Sequence, residues 1–289
     1  MPRPIQIALL MAAPLALLAV VLLLSREMAE ADGDYDYVVR FDLPSADAPV
    51  DLPMVEGPAD ASRPLVVIDP GHGGFDPGAG TGAVREKDVA LAIATAVRDA
   101  LLAGGGVRVA LTRDADRFIA LADRPDIARR LNADLFVSIH ADSAESDLAR
   151  GASIYVLSEK GSSEAAERFA ARENGADRVN GVSLSRTSAS VGAILLDLSQ
   201  RDTLAGSAEL AGLMLRELRE SNVGLHRAGA ETAALAVLKA PDIPSILLET
   251  GYINNPEDYA FLRSRQGQRT LADATARAIR VYFARRSGA

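Results

Sequence analysis

From Leu65 onward the chain alternates short unbroken apolar runs with longer segments whose apolar residues recur at helical spacing. Leu65–Asp69, Val107–Leu111, Leu135–Ile139, Gly151–Leu157 and Pro244–Leu248 read as strands. Strands that are apolar throughout are covered on both faces. Val89, Ile93, Val97 and Leu101 mark a helix over Glu86–Leu102, which Gly104-Gly105-Gly106 stops. Further helices are expected over Ile119–Leu131, with Asp123, Arg124, Arg129 and Arg130 on a polar side, over Ser199–Glu220 and over Pro256–Phe283. Alternation of this kind predicts a single α/β domain, a mainly parallel twisted sheet flanked by helices on both faces. Functional groups in such sheets gather at the carboxyl ends of the strands.

Three of those ends carry chemistry. His72 follows the first strand within Gly71-His72-Gly73-Gly74, His140 follows Leu135–Ile139, and Glu249 follows Ile246-Leu247-Leu248. Glu86 opens the helix after the loop that carries His72. Two histidines and a carboxylate are a common catalytic zinc set, and three protein ligands leave one coordination position open. His72, Glu86 and His140 are therefore the expected metal ligands and Zn2+, one per chain, the expected cofactor. Glu249 is the expected general acid/base, its proton affinity raised by the apolar run before it. Taken alone, Glu86 also suits the first turn of a helix, and Glu249 a helix cap. The chain has three histidines, and the third, His226, is assigned a structural place.

Composition removes several alternatives. The absence of cysteine excludes disulfides, thiolate metal sites and thiol nucleophiles. Net charge of −8 without a basic block argues against nucleic acid as a partner. The absence of tryptophan argues against a sugar-stacking platform of Trp rings. Ile5 to Leu24 is an uncharged apolar run long enough to span a bilayer, and Ala29-Glu30-Ala31 suits a cleavage site. Residues 1–31 thus read as a signal peptide or an N-terminal membrane anchor. Either places the protein outside the cytoplasm, in the periplasm or held on the outer face of the cytoplasmic membrane through residues 5–24 if they are uncleaved. Residues 32–64, punctuated by Pro44, Pro49, Pro53, Pro58 and Pro64, read as a proline-rich linker with one short strand at Tyr35–Phe41.

Four ordered segments carry a resemblance over the remainder. They are Val67-Ile68-Asp69-Pro70-Gly71-His72-Gly73-Gly74, Arg85-Glu86-Lys87-Asp88, Phe136-Val137-Ser138-Ile139-His140-Ala141, and Pro244-Ser245-Ile246-Leu247-Leu248-Glu249-Thr250-Gly251-Tyr252-Ile253-Asn254-Asn255. Together they resemble the zinc-dependent N-acetylmuramoyl-L-alanine amidases of the amidase_3 type. The resemblance implies a zinc amidase domain over 65–286 and the same four site residues. It also implies the reaction: hydrolysis of the amide between N-acetylmuramic acid and L-alanine in peptidoglycan. Asp142 stands where many members carry Asn, Tyr252 where many carry Phe, and Ala233-Ala234-Leu235 replaces a Gly-Phe-type stretch. An exported zinc peptidase or amidase of other specificity, and a non-catalytic wall-binding regulatory module, are the alternatives.

Residues 159–197 exceed what a strand–helix link requires. Ala165, Ala166, Phe169 and Ala170 suggest one helix and Val191, Ile194, Leu195 and Leu198 a second, with a polar stretch Asn180–Ser190 between. In members with similar insertions, a helix covers the active site and its Glu fills the open metal position until an activator protein displaces it. The resemblance therefore implies a regulatory helical insertion, with Glu173 as the autoinhibitory ligand and Glu167 as runner-up. It also implies an activator that docks on 159–197.

Overall fold

The computed structural model describes residues 51–80, 85–144, 146–176, 178–179, 182–183 and 193–287. The apolar run 5–24 and the strand expected at Tyr35–Phe41 lie outside them. Among the described residues no helix is long and apolar enough to cross a membrane.

The five apolar runs form strands β1 (Leu65–Pro70), β2 (Arg108–Leu111), β3 (Leu135–His140), β4 (Ser153–Leu157) and β8 (Ser245–Glu249) of one six-stranded sheet, and a short strand not expected from the sequence, β7 (Glu231–Ala233), adds its edge. Its spatial order is β2-β1-β3-β8-β4-β7. All neighbours are parallel except β4, which runs against β8. A two-stranded hairpin, β5 (Arg178–Val179) and β6 (Val182–Ser183), lies outside it.

Strand alternation sends side chains to two separate cores. Val66, Ile68, Val137, Ile139, Ile246 and Leu248 pack against Ile93, Val97 and Leu101 of helix α1 (Glu86–Gly104). The same core takes Leu210, Met214 and Leu218 of α4 (Ala193–Glu220) and Leu271, Ala278 and Ile279 of α6 (Arg265–Ser287). On the other face Leu65, Val67, Phe136, Tyr155 and Leu247 meet Ala128 of α2 (Asp123–Arg130) and Ala166, Phe169 and Ala170 of α3 (Glu164–Glu173). A 3-10 turn, Ala236–Leu238, completes this face.

Three helix readings need correction. α2 begins at Asp123, not Ile119. Pro125 has no amide hydrogen, so it suits the first turn of this helix and not the interior of a longer one. Arg124 is also not on a polar side: it is 3% exposed and bonds inward. Val191 and most of the polar stretch Asn180–Ser190 lie outside the described residues, and Ile194, Leu195 and Leu198, expected in a separate helix, belong with the segment expected at 199–220 to one helix, α4. The closing segment is two helices, α5 (Pro256–Arg263) and α6. Ser264, extended at ψ 142°, breaks the run, and its Oγ accepts from Gly267 N–H as a cap for α6.

Part of the proline-rich segment is fastened to the domain. Glu56 pairs antiparallel with Val109 on the outer edge of β2, and its carboxylate meets Arg98 at 3.3 Å.

Candidate metal centre

The parallel register brings the chemistry together. His140 and Glu249 are direct partners at the ends of β3 and β8, and Pro70 of β1 pairs with Ile139. Two residues beyond Pro70, His72 turns back over the sheet at φ +59°. This left-handed conformation costs a residue with a β-carbon about 1–2 kcal/mol. Glycines clear the space: a β-carbon on Gly71 would lie 2.4 Å from the His140 ring, and one on Gly78 would lie 2.6 Å from His72 and 2.7 Å from Glu86.

His72, Glu86, His140 and Glu173 converge. His72 Nε2 lies 3.1 Å from Glu86 Oε2 and 3.6 Å from Glu173 Oε2. His140 Nδ1 lies 2.9 Å from Glu86 Oε1 and 3.4 Å from Glu173 Oε2. Donors about 2.0–2.1 Å from a tetrahedral zinc stand about 3.3–3.4 Å from one another, so these separations fit such an ion. Two further observations agree. His72 Nε2 is buried with no hydrogen-bond partner, while Nδ1 is engaged 2.8 Å from the Asp76 carboxylate. Such a carboxylate fixes the ring and leaves the other nitrogen to a metal. Glu86, 1% exposed, is aimed by backbone donors, Ala79 N–H at Oε2 and Ala141 N–H at Oε1. These residues can hold a divalent metal.

Burial is the largest single influence and opposes charge on both His72 and Glu86, but their neighbours together outweigh it: Glu86, Asp76 and Glu173 for His72, and His72 and His140 for Glu86. The His72 imidazole is held well above its ordinary proton affinity, and Glu86 well below the usual carboxylate range.

Glu249 is placed beside the cluster, with donor atoms of Glu86, His140 and Glu249 within 4.8 Å of one another. It is 1% exposed; Oε2 accepts from Asp142 N–H at 2.9 Å, and Oε1 has no hydrogen-bond partner. Burial first, then the charges of Asp142, Glu86 and Glu173, raise its pKa well above the usual carboxylate range. Asp142, buried beside Arg172, is pushed up to about 7 by burial.

The end of α3 lies over this cluster. Glu173 is 6% exposed and reaches both histidines, whereas Glu167 is exposed near the start of the helix. Arg172 pairs with the Asp142 carboxylate. Asn174 accepts from Ala236 N–H and donates to Ala234 O, both at 2.8 Å. Phe169 stacks on Tyr155 at 4.5 Å between centroids. The cavity left among His72, Asp76, His140, Glu173 and Val237 measures about 10 Å³, room for one water at most.

Sequence reasoning passed over Asp76, Arg172 and Asn174. Asp76 stands four residues after His72 in a loop full of glycine, a spacing that hints at a turn returning to the ring. Arg172 and Asn174 carry no local signal because their partners lie 30 and 60 or more residues away. His226 packs its ring edge-on against Tyr252.

Residues 66–281 match the protein family described as N-acetylmuramoyl-L-alanine amidase. The chain is 43% identical over 224 residues to N-acetylmuramoyl-L-alanine amidase AmiA of Salmonella typhimurium, covering 77% of each chain. It is 42% identical over 221 residues to AmiA of Escherichia coli, covering 76% of each. Among solved structures it is similar to N-acetylmuramoyl-L-alanine amidase AmiC2 of Nostoc punctiforme. That likeness has a TM-score of 0.54 and 33% identity, over 76% of this chain and 97% of the other.

Proposed function

Since the chain belongs to the N-acetylmuramoyl-L-alanine amidase family and is a hydrolytic amidase, we propose that it cleaves peptidoglycan with the residues gathered at the ends of β1, β3 and β8. His72, Glu86 and His140 would hold one zinc ion, and Glu249 would move the protons. The observation that carries this reading is the convergence of donors 2.9 to 3.6 Å apart around a buried His72 Nε2 that has no hydrogen-bond partner. A zinc ion supplies a more acidic water and a Lewis acid for the amide carbonyl.

The residues of the chain set the rest. Asp76 orients the His72 ring. Asp142 N–H fixes one oxygen of Glu249 and leaves the other to handle a proton. With its proton affinity raised, Glu249 accepts a proton from the attacking water as the new C–O bond forms. It returns that proton to the nitrogen of L-alanine as the C–N bond breaks. The products are a muramic acid carboxylate and a stem peptide with a free amino terminus.

In the arrangement described here the amidase is closed. Glu173 occupies the side of the cluster that a substrate carbonyl needs, and a cavity of about 10 Å³ admits no sugar or peptide. Residues 159–197 act as a regulatory insertion, and an activator protein docks on them to lift α3. Residues 1–31, as signal or anchor, and the linker 32–64 deliver the domain 65–286 to the wall.

The test incubates the purified full-length chain with zinc and isolated peptidoglycan and identifies released fragments by mass spectrometry. Stem peptides beginning with L-alanine are expected, lost in Glu249→Ala and increased in Glu173→Ala. Fragments cut elsewhere would point to a peptidase. Zinc uptake without release from Glu173→Ala would point to a wall-binding module.

A further inference from the structure

Two guanidiniums that the proposed reaction does not use lie beneath the loop presenting His72. Arg113 is 0% exposed and Arg124 3%. Arg113 donates from Nε to Pro70 O at 3.0 Å and from Nη1 to Ala115 O at 3.2 Å. Its Nη2 donates to both Gly71 O at 2.7 Å and Lys87 O at 2.8 Å. Arg124 donates from Nη1 to Pro70 O at 2.8 Å and Asp69 Oδ1 at 3.0 Å, and from Nη2 to His72 O at 2.8 Å. Three consecutive carbonyls, Pro70, Gly71 and His72, are therefore gripped. Through Lys87 the grip extends to the residue after Glu86.

This stretch of backbone needs external support. φ is positive at His72, Gly73 and Gly74 in succession, so no sheet or helix ladder can run through it. Arg113 joins the loop that carries one metal donor to the helix start that carries another, and Arg124 holds the His72 end of that loop. Their charge gives the ion nothing, because a buried cation repels a divalent one. Among the described residues no carboxylate lies within ion-pair distance of Arg113, and burial lowers its pKa to about 10. What they contribute is the planar fork, which fixes several carbonyls at once and which a lysine ammonium does not reproduce.

We infer that Arg113 and Arg124 are positioning residues that set the separation of His72 and Glu86 and thereby the affinity of the site for its metal. The inference rests on the metal-site reading given above. It is tested by competition between the purified full-length chain and a chromogenic chelator for zinc, in wild type, Arg113→Lys, Arg124→Lys and Thr112→Val. Thr112 Oγ1 donates to Asp69 Oδ1 at 2.6 Å within the same buried network, but its side chain touches none of the gripped carbonyls.

Each lysine variant keeps the charge and is expected to bind zinc about 10–100-fold more weakly, as loss of outer partners does at metal sites, with an unchanged circular dichroism spectrum. Thr112→Val is expected to melt earlier while binding zinc as wild type does. Equal affinity in the lysine variants, an equal loss in Thr112→Val, or loss of fold in both lysine variants would each overturn the inference and leave the arginines structural. A wild type that takes up no zinc would overturn the metal-site reading, and this inference with it.

Discussion

Asn174→Ala is the most informative single change for the closed state. Asn174 touches neither the metal donors nor Glu249, yet it directly follows Glu173. Its side chain forms two bonds of 2.8 Å that tie the end of α3 to Ala234 and Ala236. Both bonds are exposed, so each is worth about 0.5–1 kcal/mol, at the low end for neutral pairs. Their loss shifts the balance between closed and open by about 1–2 kcal/mol, or about 5–30-fold in the open fraction. If α3 gates the site as proposed above, basal amidase activity without any activator should rise by that factor. The assay is release of dye-labelled peptidoglycan at fixed zinc, with circular dichroism to verify the fold. Activity within twofold of wild type in a folded Asn174→Ala would refute the reasoning. It would mean that Arg172–Asp142 and Phe169–Tyr155 hold α3 unaided, or that α3 does not gate the site.

Other outcomes follow from the same geometry. Glu249→Gln should lower turnover by about 10²–10⁴-fold, the range for a positioned acid/base, while zinc content measured by atomic emission stays at the wild-type level. Gly71→Ala should lose zinc and activity together, since its methyl group would lie 2.4 Å from the His140 ring; full zinc occupancy would contradict the packing described. Ser264→Ala removes the cap of α6, costs about 1 kcal/mol and should lower the melting midpoint by about 2–4 °C with amidase activity unchanged.

Much of this arrangement is legible in the sequence, for physical reasons. Strands buried on both faces must be apolar throughout, so β1, β3 and β8 stand out, and their ends give His72, His140 and Glu249. The α1 stripe of Ile93, Val97 and Leu101 follows from one buried face of a helix. Arg124 shows where such reading stops. Helical spacing gives a charged residue to solvent by default, yet the unpaired carbonyls of a loop with positive φ need donors, and a guanidinium supplies them from inside. The break at Ser264 was hidden because good helix-forming residues lie on both sides of it. The continuity of α4 was hidden by the polar residues between Leu198 and Leu204. The position of α3 over the cluster depends on partners distant in sequence, which no local pattern records.

The pairing of His140 with Glu249 has a further consequence for the life of the chain. The site exists only when β1, β3 and β8 lie side by side, and β8 begins at residue 245. A ribosome has finished most of the polypeptide before the last strand can slot between β3 and β4. A nascent or threaded chain therefore carries its histidines as separate, harmless groups. Wall-cutting power arrives in one step, with completion of the sheet, and partly built molecules are inert without any inhibitor.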